Sequence, residues 1–309
     1  MLISIFIGTI LGMIIFFTGM IMITHSTTAL SGQKLKRIVA FLTTHPVFGI
    51  FVGIIVTGLT QSSSGTSVLV VSLVNSGVMN LYQATGVIMG ANIGTTITGQ
   101  LVTFNIFEMI PPILMLGILL FYLNMNPLTK HIGKFFIGFS FLFFGMKIMS
   151  YFLTPLKDLM HFKSFMLSIE QQQFKGIVLG AITTALIQSS STGIALVQGL
   201  ASKGLINIYQ AIPILMGQNI GTCTTSLFSS IAADKNGKRA AFIHLLFNII
   251  GVFIFYPFIG IFSNFILHFT PLNAVKQIAN AHSFFNIINA LILFPFIPFL
   301  VFLSKKIIR

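Results

Sequence analysis

The chain has 309 residues, of which 55% are hydrophobic and only 7% charged, with a mean hydropathy of +0.98. Soluble domains carry roughly a quarter charged residues, so this usage excludes a soluble globular or disordered protein and implies an integral membrane protein in contact with the lipid bilayer. The net charge of +13 does not mark a nucleic-acid binder: its basic residues sit in short clusters between apolar runs, Lys34 to Arg37, Lys130 to Lys134, Lys235 to Arg239 and Lys305 to Arg309, as cytoplasmic loops do beside anionic lipid.

The apolar runs have helical length and lack the ten-residue alternation of an outer-membrane barrel, so the predicted fold is an all-α polytopic membrane bundle. The first span, 3–24, has no basic leader and no small-residue cleavage pattern and reads as a membrane helix, not a signal peptide. From Val47 to Thr60 and from Gly65 to Ser76 the apolar arms are only 14 and 12 residues long, roughly 18 to 21 Å at ~1.5 Å per residue, too short to cross. Between them lies the polar stretch Gln61-Ser62-Ser63-Ser64. Two short arms with a polar tip predict a re-entrant hairpin, or one helix broken in its middle. Residues 83–104 follow with Gly90-Ala91-Asn92-Ile93-Gly94-Thr95-Thr96, where the glycines suggest a second, unwound break, and then a span at 109–126.

The second half repeats this order. A span at 134–153 precedes Gln188-Ser189-Ser190-Ser191, and a broken helix at 210–231 carries Gly217-Gln218-Asn219-Ile220-Gly221-Thr222. The two halves align without a gap at an offset of 127 residues, the separation of Gln188 from Gln61. The alignment pairs Gly53 with Gly180, Gly77 with Gly204, and Tyr82-Gln83-Ala84 with Tyr209-Gln210-Ala211. The first span also echoes the span at 134–153, Phe17-Thr18-Gly19-Met20 matching Phe143-Phe144-Gly145-Met146. The reading is a single transport domain over 1–309: repeat 1 about 3–126, repeat 2 about 134–262, and an additional helix at 277–303. Charge does not choose between hairpins, which make the repeats inverted, and broken spans, which make them parallel. Both place the N-terminus outside and the C-terminus in the cytoplasm, and arm length favours the hairpin.

Polar groups at mid-membrane cost several kcal/mol each unless they bind something or each other. Ser, Thr and Gly can serve simple helix contact, but a duplicated cluster in register, each followed by an Asn-Gly-Thr cluster, points to a binding site. The four acidic residues, Glu108, Asp158, Glu170 and Asp234, fall in loops or at span ends. A site without carboxylates does not repel an anion, and Ser hydroxyls with helix N-terminal N–H groups supply donors to it. Gln and Thr oxygens can hold a small alkali cation in the same place. Thr95 and Thr98, like Thr222 and Thr225, are three apart and share a helix face. His244 and His282 are read as hydrogen-bonding within the bundle, and Lys147, inside a span, as a functional candidate. No nucleophile and base pair appears, so no enzyme is read.

Duplicated Gln-Ser-Ser-Ser, each copy followed by Gly-x-Asn-Ile-Gly-Thr, resembles the type II sodium-dependent phosphate cotransporter family over nearly the whole chain. His244 to Ile250 and His282 to Ile288 are similar to that family's later helices. The resemblance implies two inverted repeats, each with a re-entrant hairpin, and Na⁺-coupled symport of inorganic phosphate by alternating access. No cofactor is implied beyond Na⁺ as the coupling ion. Phosphate is expected between the two clusters, at Ser62, Ser63, Ser64 and Asn92 with Ser189, Ser190, Ser191 and Asn219. Na⁺ is expected at Gln188, Ser189, Ser190, Thr222 and Thr225, with Gln61, Ser62, Ser63, Thr95 and Thr98 as the pseudo-symmetric partner. Cys223 stands where the first copy has Thr96, and Gly65 and Thr192 differ, so the two sites need not be equivalent. Lys-over-Arg usage with abundant Phe and Ile suggests an AT-rich bacterial genome, and the expected location is the cytoplasmic (inner) membrane. Bacterial relatives resemble carriers of a soluble C-terminal phosphate-uptake-regulator-like domain, and this sequence, ending at Arg309, is expected to lack it. An uncoupled phosphate exporter or anion channel, and a scaffold whose polar clusters only pack helices, are the alternatives.

Overall fold

The structure, a computed structural model, describes residues 2–31, 45–104, 109–123 and 126–309, without the side chains of residues 27, 28, 30 and 31. The basic cluster Lys34 to Arg37 and Glu108 lie outside the described residues. Within them the chain is all-helical, with no strand. The helices are α1 (Leu2–Ser31), α2 (Pro46–Thr60), α3 (Ser63–Asn75), α4 (Leu81–Val102), α5 (Ile110–Leu123), α6 (Pro127–Leu153) and α7 (Met160–Gln171). They continue with α8 (Gln173–Ile187), α9 (Ser190–Ser202), α10 (Ile208–Ser229), α11 (Lys235–Phe255), α12 (Ile259–Phe269), α13 (Ala274–Leu293) and α14 (Ile297–Ile307). Four stretches are long and apolar enough to cross a membrane: Leu2–Ser26, Pro127–Asp158, and the pairs α11–α12 and α13–α14, each joined through a Pro-containing 3-10 turn. Leu, Ile and Phe side chains stand exposed along these stretches, as on α1 at Ile3, Phe6 and Ile7. Exposed apolar surface on that scale needs lipid to cover it.

The 127-residue repeat is structural. Both hairpin tips end a helix with a glutamine in the left-handed region, Gln61 at φ 52° and Gln188 at φ 56°. Both second arms end at a glycine in the same region, Gly77 at φ 73° and Gly204 at φ 66°. Both following helices start on a capping box, Asn80 with Gln83 and Asn207 with Gln210, which is why those residues recur in the sequence.

Glycine sets how α2 lies on α4 and α8 on α10. A Cβ on Gly90 would sit 2.0 Å from the carbonyl oxygen of Ile50, and one on Gly53 2.2 Å from that of Val87. In the second half Gly217 meets the Ile177 oxygen at 2.0 Å and Gly180 that of Ile214 at 2.0 Å. Contact levels rise together along both chains: Pro46 with Gly86, Ile50 with Gly90, Ile54 with Gly94. So α2 and α4 are parallel and side by side, and α3 between them must return the chain to the starting level. The chain therefore reverses at Gln61, and by the same contacts at Gln188, which makes each pair of short helices a hairpin.

These glycines correct the expected broken helices at 83–104 and 210–231. Helices α4 and α10 run unbroken through Asn92-Ile93-Gly94 and Asn219-Ile220-Gly221, 22 residues each. Gly90, Gly94, Gly217 and Gly221 are small so that a neighbouring backbone can approach, and the helical ladder is kept. Helices α1 and α6 pack through glycines too. Gly12 lies against Gly145 and Gly19 against Gly138, so these corresponding helices cross antiparallel. Helix α7, amphipathic and short, was not anticipated.

Adding one methyl group at the tightest contacts tests this packing. Gly90→Ala and Gly217→Ala should each cost about 2 to 3 kcal/mol by overpacking against a carbonyl, read as a lower melting temperature in detergent. Gly260→Ala, with nothing within 4 Å of the added carbon, should leave it unchanged.

Candidate functional site

The chain reversals bring both Ser clusters to one place. Ser62 caps α3, its Oγ accepting from the Gly65 N–H at 3.0 Å, and Ser189 caps α9, its Oγ accepting from the Thr192 N–H at 3.2 Å. The N–H groups of Ser63 and Ser64, and of Ser190 and Ser191, have no acceptor within their own helices. The two N-termini face each other, with Ser63 Oγ 3.4 Å from Ser190 Oγ and Ser64 Oγ donating to the Gln188 carbonyl at 3.5 Å. A cavity of about 200 Å³ lies here, walled by Gln61 to Ser64, by Gln188 to Ser191, and by α1 at Phe17, Met20, Ile21, Thr24 and His25. Helix α1 is held to the tip through Thr24 Oγ1, which donates to the Thr60 carbonyl at 2.7 Å.

Electrostatically the cavity suits an oxyanion. Each helix N-terminus carries about half a positive charge, and Ser62, having accepted a backbone N–H, still has its hydroxyl proton to donate, while Ser189 Oγ shares a hydrogen with Thr192 Oγ1 at 2.9 Å. The described lining contains no carboxylate.

The glutamines differ between the halves. Gln61 is buried, donates through Nε2 to the Gly58 carbonyl, and accepts at Oε1 from Thr98 Oγ1 at 2.6 Å. Thr98 also lies 3.3 Å from Ser191 Oγ, tying the first glutamine to the second Ser cluster. In the second half Gln188 is exposed, and Thr225 Oγ1, the counterpart of Thr98, is buried without a partner among the described residues. Thr95 and Thr222 bond back to the carbonyls of Ala91 and Gln218 at 3.0 and 2.9 Å, leaving their oxygen lone pairs available.

Asn92 and Asn219 stand apart from this cavity's lining. Asn92 Nδ2 donates to the Ile88 carbonyl at 2.9 Å. Asn219 donates to Asn286 Oδ1 at 2.8 Å and its Oδ1 lies 3.2 Å from His282 Nε2. Further along the same face of α10, His244 Nδ1 lies 3.1 Å from Ser226 Oγ, and Asn248 Nδ2 donates to Cys223 Sγ at 3.3 Å. The His-x₃-Asn motifs of α11 and α13 thus hold one polar stripe of α10, and both histidines hydrogen-bond within the bundle.

Sequence reasoning passed over one exchange. In the first half Thr57 Oγ1 donates to Thr66 Oγ1 at 2.8 Å. The counterparts are Thr184 and Gly193, and Gly193 has no hydroxyl to offer. The space is taken by Gln218, where the first half has Ala91; a Cβ on Gly193 would lie 2.9 Å from Gln218 Nε2. Thr184 Oγ1 and Gln218 Oε1 are both buried without a partner among the described residues. The signal was readable in principle, as two opposite size changes at aligned positions.

The family model described as Na+/Pi-cotransporter matches residues 15–151 and 158–292. The "Uncharacterized protein YqeW" of Bacillus subtilis is 28% identical over 84% of this chain and 85% of its own length. The "Putative inorganic phosphate export protein YjbB" of Escherichia coli is 24% identical over 75% of this chain, which spans only 43% of that protein. The sodium-dependent phosphate transport protein 2A of Ovis aries is 40% identical over 26% of this chain and 14% of its own length. No solved structure gives a significant match. With the duplicated motif, the helical fold and a family match in both halves, the chain belongs to the Na+/Pi-cotransporter family of membrane transporters.

Proposed function

We propose that the protein is a sodium-coupled symporter of inorganic phosphate, working by alternating access in the cytoplasmic membrane as one transport domain of two inverted repeats. The observation that carries this reading is the approach of Ser63 and Ser190 within one cavity. Equivalent residues of the two repeats meet there, so two helix N-termini address one oxyanion. Phosphate would take the hydroxyls and N–H groups of Ser62 to Ser64 and Ser189 to Ser191. Na⁺, as cosubstrate, would take neutral oxygens of the second half, where Gln188 is free to turn and Thr225 Oγ1 is unpartnered. The first-half counterpart is already closed by the Thr98 to Gln61 bond.

Inversion is supported by the antiparallel crossing of α1 and α6, since helices that correspond in the two repeats run in opposite directions. Re-entry is supported by the arm lengths, 15 and 13 residues in each hairpin, about 20 to 23 Å at ~1.5 Å per residue, against a core of about 30 Å. Alternating access is supported by the ends of the second arms. Asn75, at the end of α3, accepts at Oδ1 from the Asp234 N–H at 2.6 Å, where Asp234 caps α11. The corresponding Ser202 borders an open cavity of about 490 Å³. The basic tail Lys305, Lys306 and Arg309 supports a cytoplasmic C-terminus and an external N-terminus.

A second reading, uncoupled export, is favoured by the name of the YjbB relative. Uptake of ³²P-phosphate into proteoliposomes distinguishes the two. Symport requires inward Na⁺, fails with K⁺, and is lost in Gln188→Ala; equal flux in K⁺ would establish the uncoupled route. Moving divalent phosphate inward against ~100 mV costs about 4.6 kcal/mol, while one Na⁺ supplies about 2.3 from that potential and about 1.4 from a tenfold gradient. At least two Na⁺ per divalent phosphate are therefore expected, and a measured ratio of one would refute this coupling.

Topology has its own test. Ser76 and Lys203 are exposed and sit at corresponding positions. Ser76→Cys and Lys203→Cys should react with an impermeant maleimide from opposite sides of the membrane, and labelling from the same side would rule out inversion.

A further inference from the structure

Three helix ends meet away from the Ser clusters. A cavity of about 320 Å³ opens between the start of α4 at Asn80 and Tyr82, the first turn of α11 at Asn236 and the last turn of α14 at Lys305. Arg239 fixes this corner. Its Nε donates to the Ile308 carbonyl at 3.0 Å and its Nη1 to Asn236 Oδ1 at 2.9 Å, tying the residue after α14 to the start of α11. Lys235 and Lys238 on α11, and Lys305 and Lys306 on α14, stand exposed at the same two helix ends.

The positive charge of this corner is not neutralised within the chain. Both acceptors of Arg239 are neutral, and the four lysines have no hydrogen-bond or ion-pair partner among the described residues. Of the four acidic residues in the sequence, only Asp234 is near, and its Oδ1 caps α11 by accepting from the Gly237 N–H at 2.7 Å. Glu170 is bonded to Asn207 and Gln210 at the opposite end of α10, and Asp158 lies between α6 and α7. Residues 32–44 and 124–125 contain no Asp or Glu. Glu108 follows Val102 by six residues, at most about 21 Å of chain, while α4 carries Val102 about 31 Å away from Leu81. Five cations thus stand against one carboxylate that is already engaged.

Apolar surface continues from the charged end of α14. Phe299, Phe302 and Lys306 are spaced three and four apart and share a helix face, and the two rings are 50% and 58% exposed. At ~1.5 Å per residue, Phe302 lies about 6 Å and Phe299 about 10 Å from the level of Lys306. Ammonium groups above an apolar stripe match the two parts of a phospholipid, a phosphate at the helix end and an acyl chain along the rings.

We propose that this corner binds an anionic phospholipid, its phosphate group held at the cavity by Lys305 and Lys306 and an acyl chain lying along Phe302 and Phe299. The cavity is also lined by Val74 and Gly77 at the end of hairpin arm α3, beside the bond from the Asp234 N–H to Asn75 Oδ1. The lipid therefore sits where the first hairpin is joined to α11. Its binding does not depend on which ion the protein carries.

The test is native mass spectrometry of the purified full chain in detergent, titrated separately with phosphatidylglycerol and phosphatidylcholine. Phosphatidylglycerol should be retained at lower concentration than phosphatidylcholine. Lys305→Gln and Lys306→Gln should each weaken its retention about fivefold at low salt, with the difference shrinking as salt screens the corner. Lys305→Arg should restore it, and Lys163→Gln, on α7, should leave it unchanged. Equal retention of the two lipids by the wild-type chain, or unaltered phosphatidylglycerol retention in the double lysine variant, would refute the site. Displacement of phosphatidylglycerol by an equal concentration of inorganic phosphate would assign the corner to the free ion and overturn the lipid reading. Both lysines are exposed at a helix end, so the variants test binding and not folding.

Discussion

A helix that stops inside a bundle leaves backbone donors and acceptors to be satisfied there, and this chain ends two helices at its hairpin tips, Thr60 and Ile187. Each stop uses a glutamine in the left-handed region, which costs a non-glycine residue about 1 kcal/mol or more. At Gln61 the side chain offsets that cost by bonding the Gly58 carbonyl and Thr98. The serine that follows then caps the returning helix. The tips can sit deep in the bundle only because Gly53, Gly90, Gly180 and Gly217 let each first arm lie with its backbone against the long helix beside it. Hairpin, cavity and helix packing are thus one solution to one constraint.

The two halves solve it differently. The first closes its polar groups on themselves, through Thr57 with Thr66 and Thr98 with Gln61. In the second, Gly193 and Gln218 exchange sizes relative to Thr66 and Ala91, and three oxygens, those of Thr184, Gln218 and Thr225, are buried without a partner among the described residues. Buried polar groups are nearly always satisfied in folded proteins. Here the deficit is concentrated in one half.

Much of this was legible in the sequence because the repeat fixes what a single copy leaves ambiguous. Gln61 and Gln188 marked the tips, and the 127-residue offset paired Gly77 with Gly204 and Gln83 with Gln210, which the structure shows as left-handed turns and capping boxes. Glycine was the point of failure. Gly90-Ala91-Asn92-Ile93-Gly94 reads equally as a turn that unwinds or as a face that admits another backbone, because both need the missing Cβ; only the position of Ile50 and Ile54 decides. Asn219 shows a similar ambiguity. An amide deep in a membrane suggests a ligand, but here its partners are Asn286 and His282, from a helix more than sixty residues downstream. Helix α7 is too short and polar to register as a span, and its face is set by contacts with α8 and α10 that the sequence does not announce.

Helices α4 and α10 are long enough to cross, at 22 residues each, yet hydropathy does not select them. Their polarity is turned inward: Asn92, Thr95 and Thr98, like Asn219 and Thr222, are all buried. The polar content of these two helices is thus concentrated inside the bundle, beside the two hairpin tips. Ser63 and Ser190 meet there as equivalent residues, which means neither Ser cluster has a cavity to itself. A ligand bound by one is contacted by the other, and any movement that separates the tips alters both sets of donors at once. The second arms carry that symmetry outward to unequal ends, a closed one at Asn75 and an open one at Ser202.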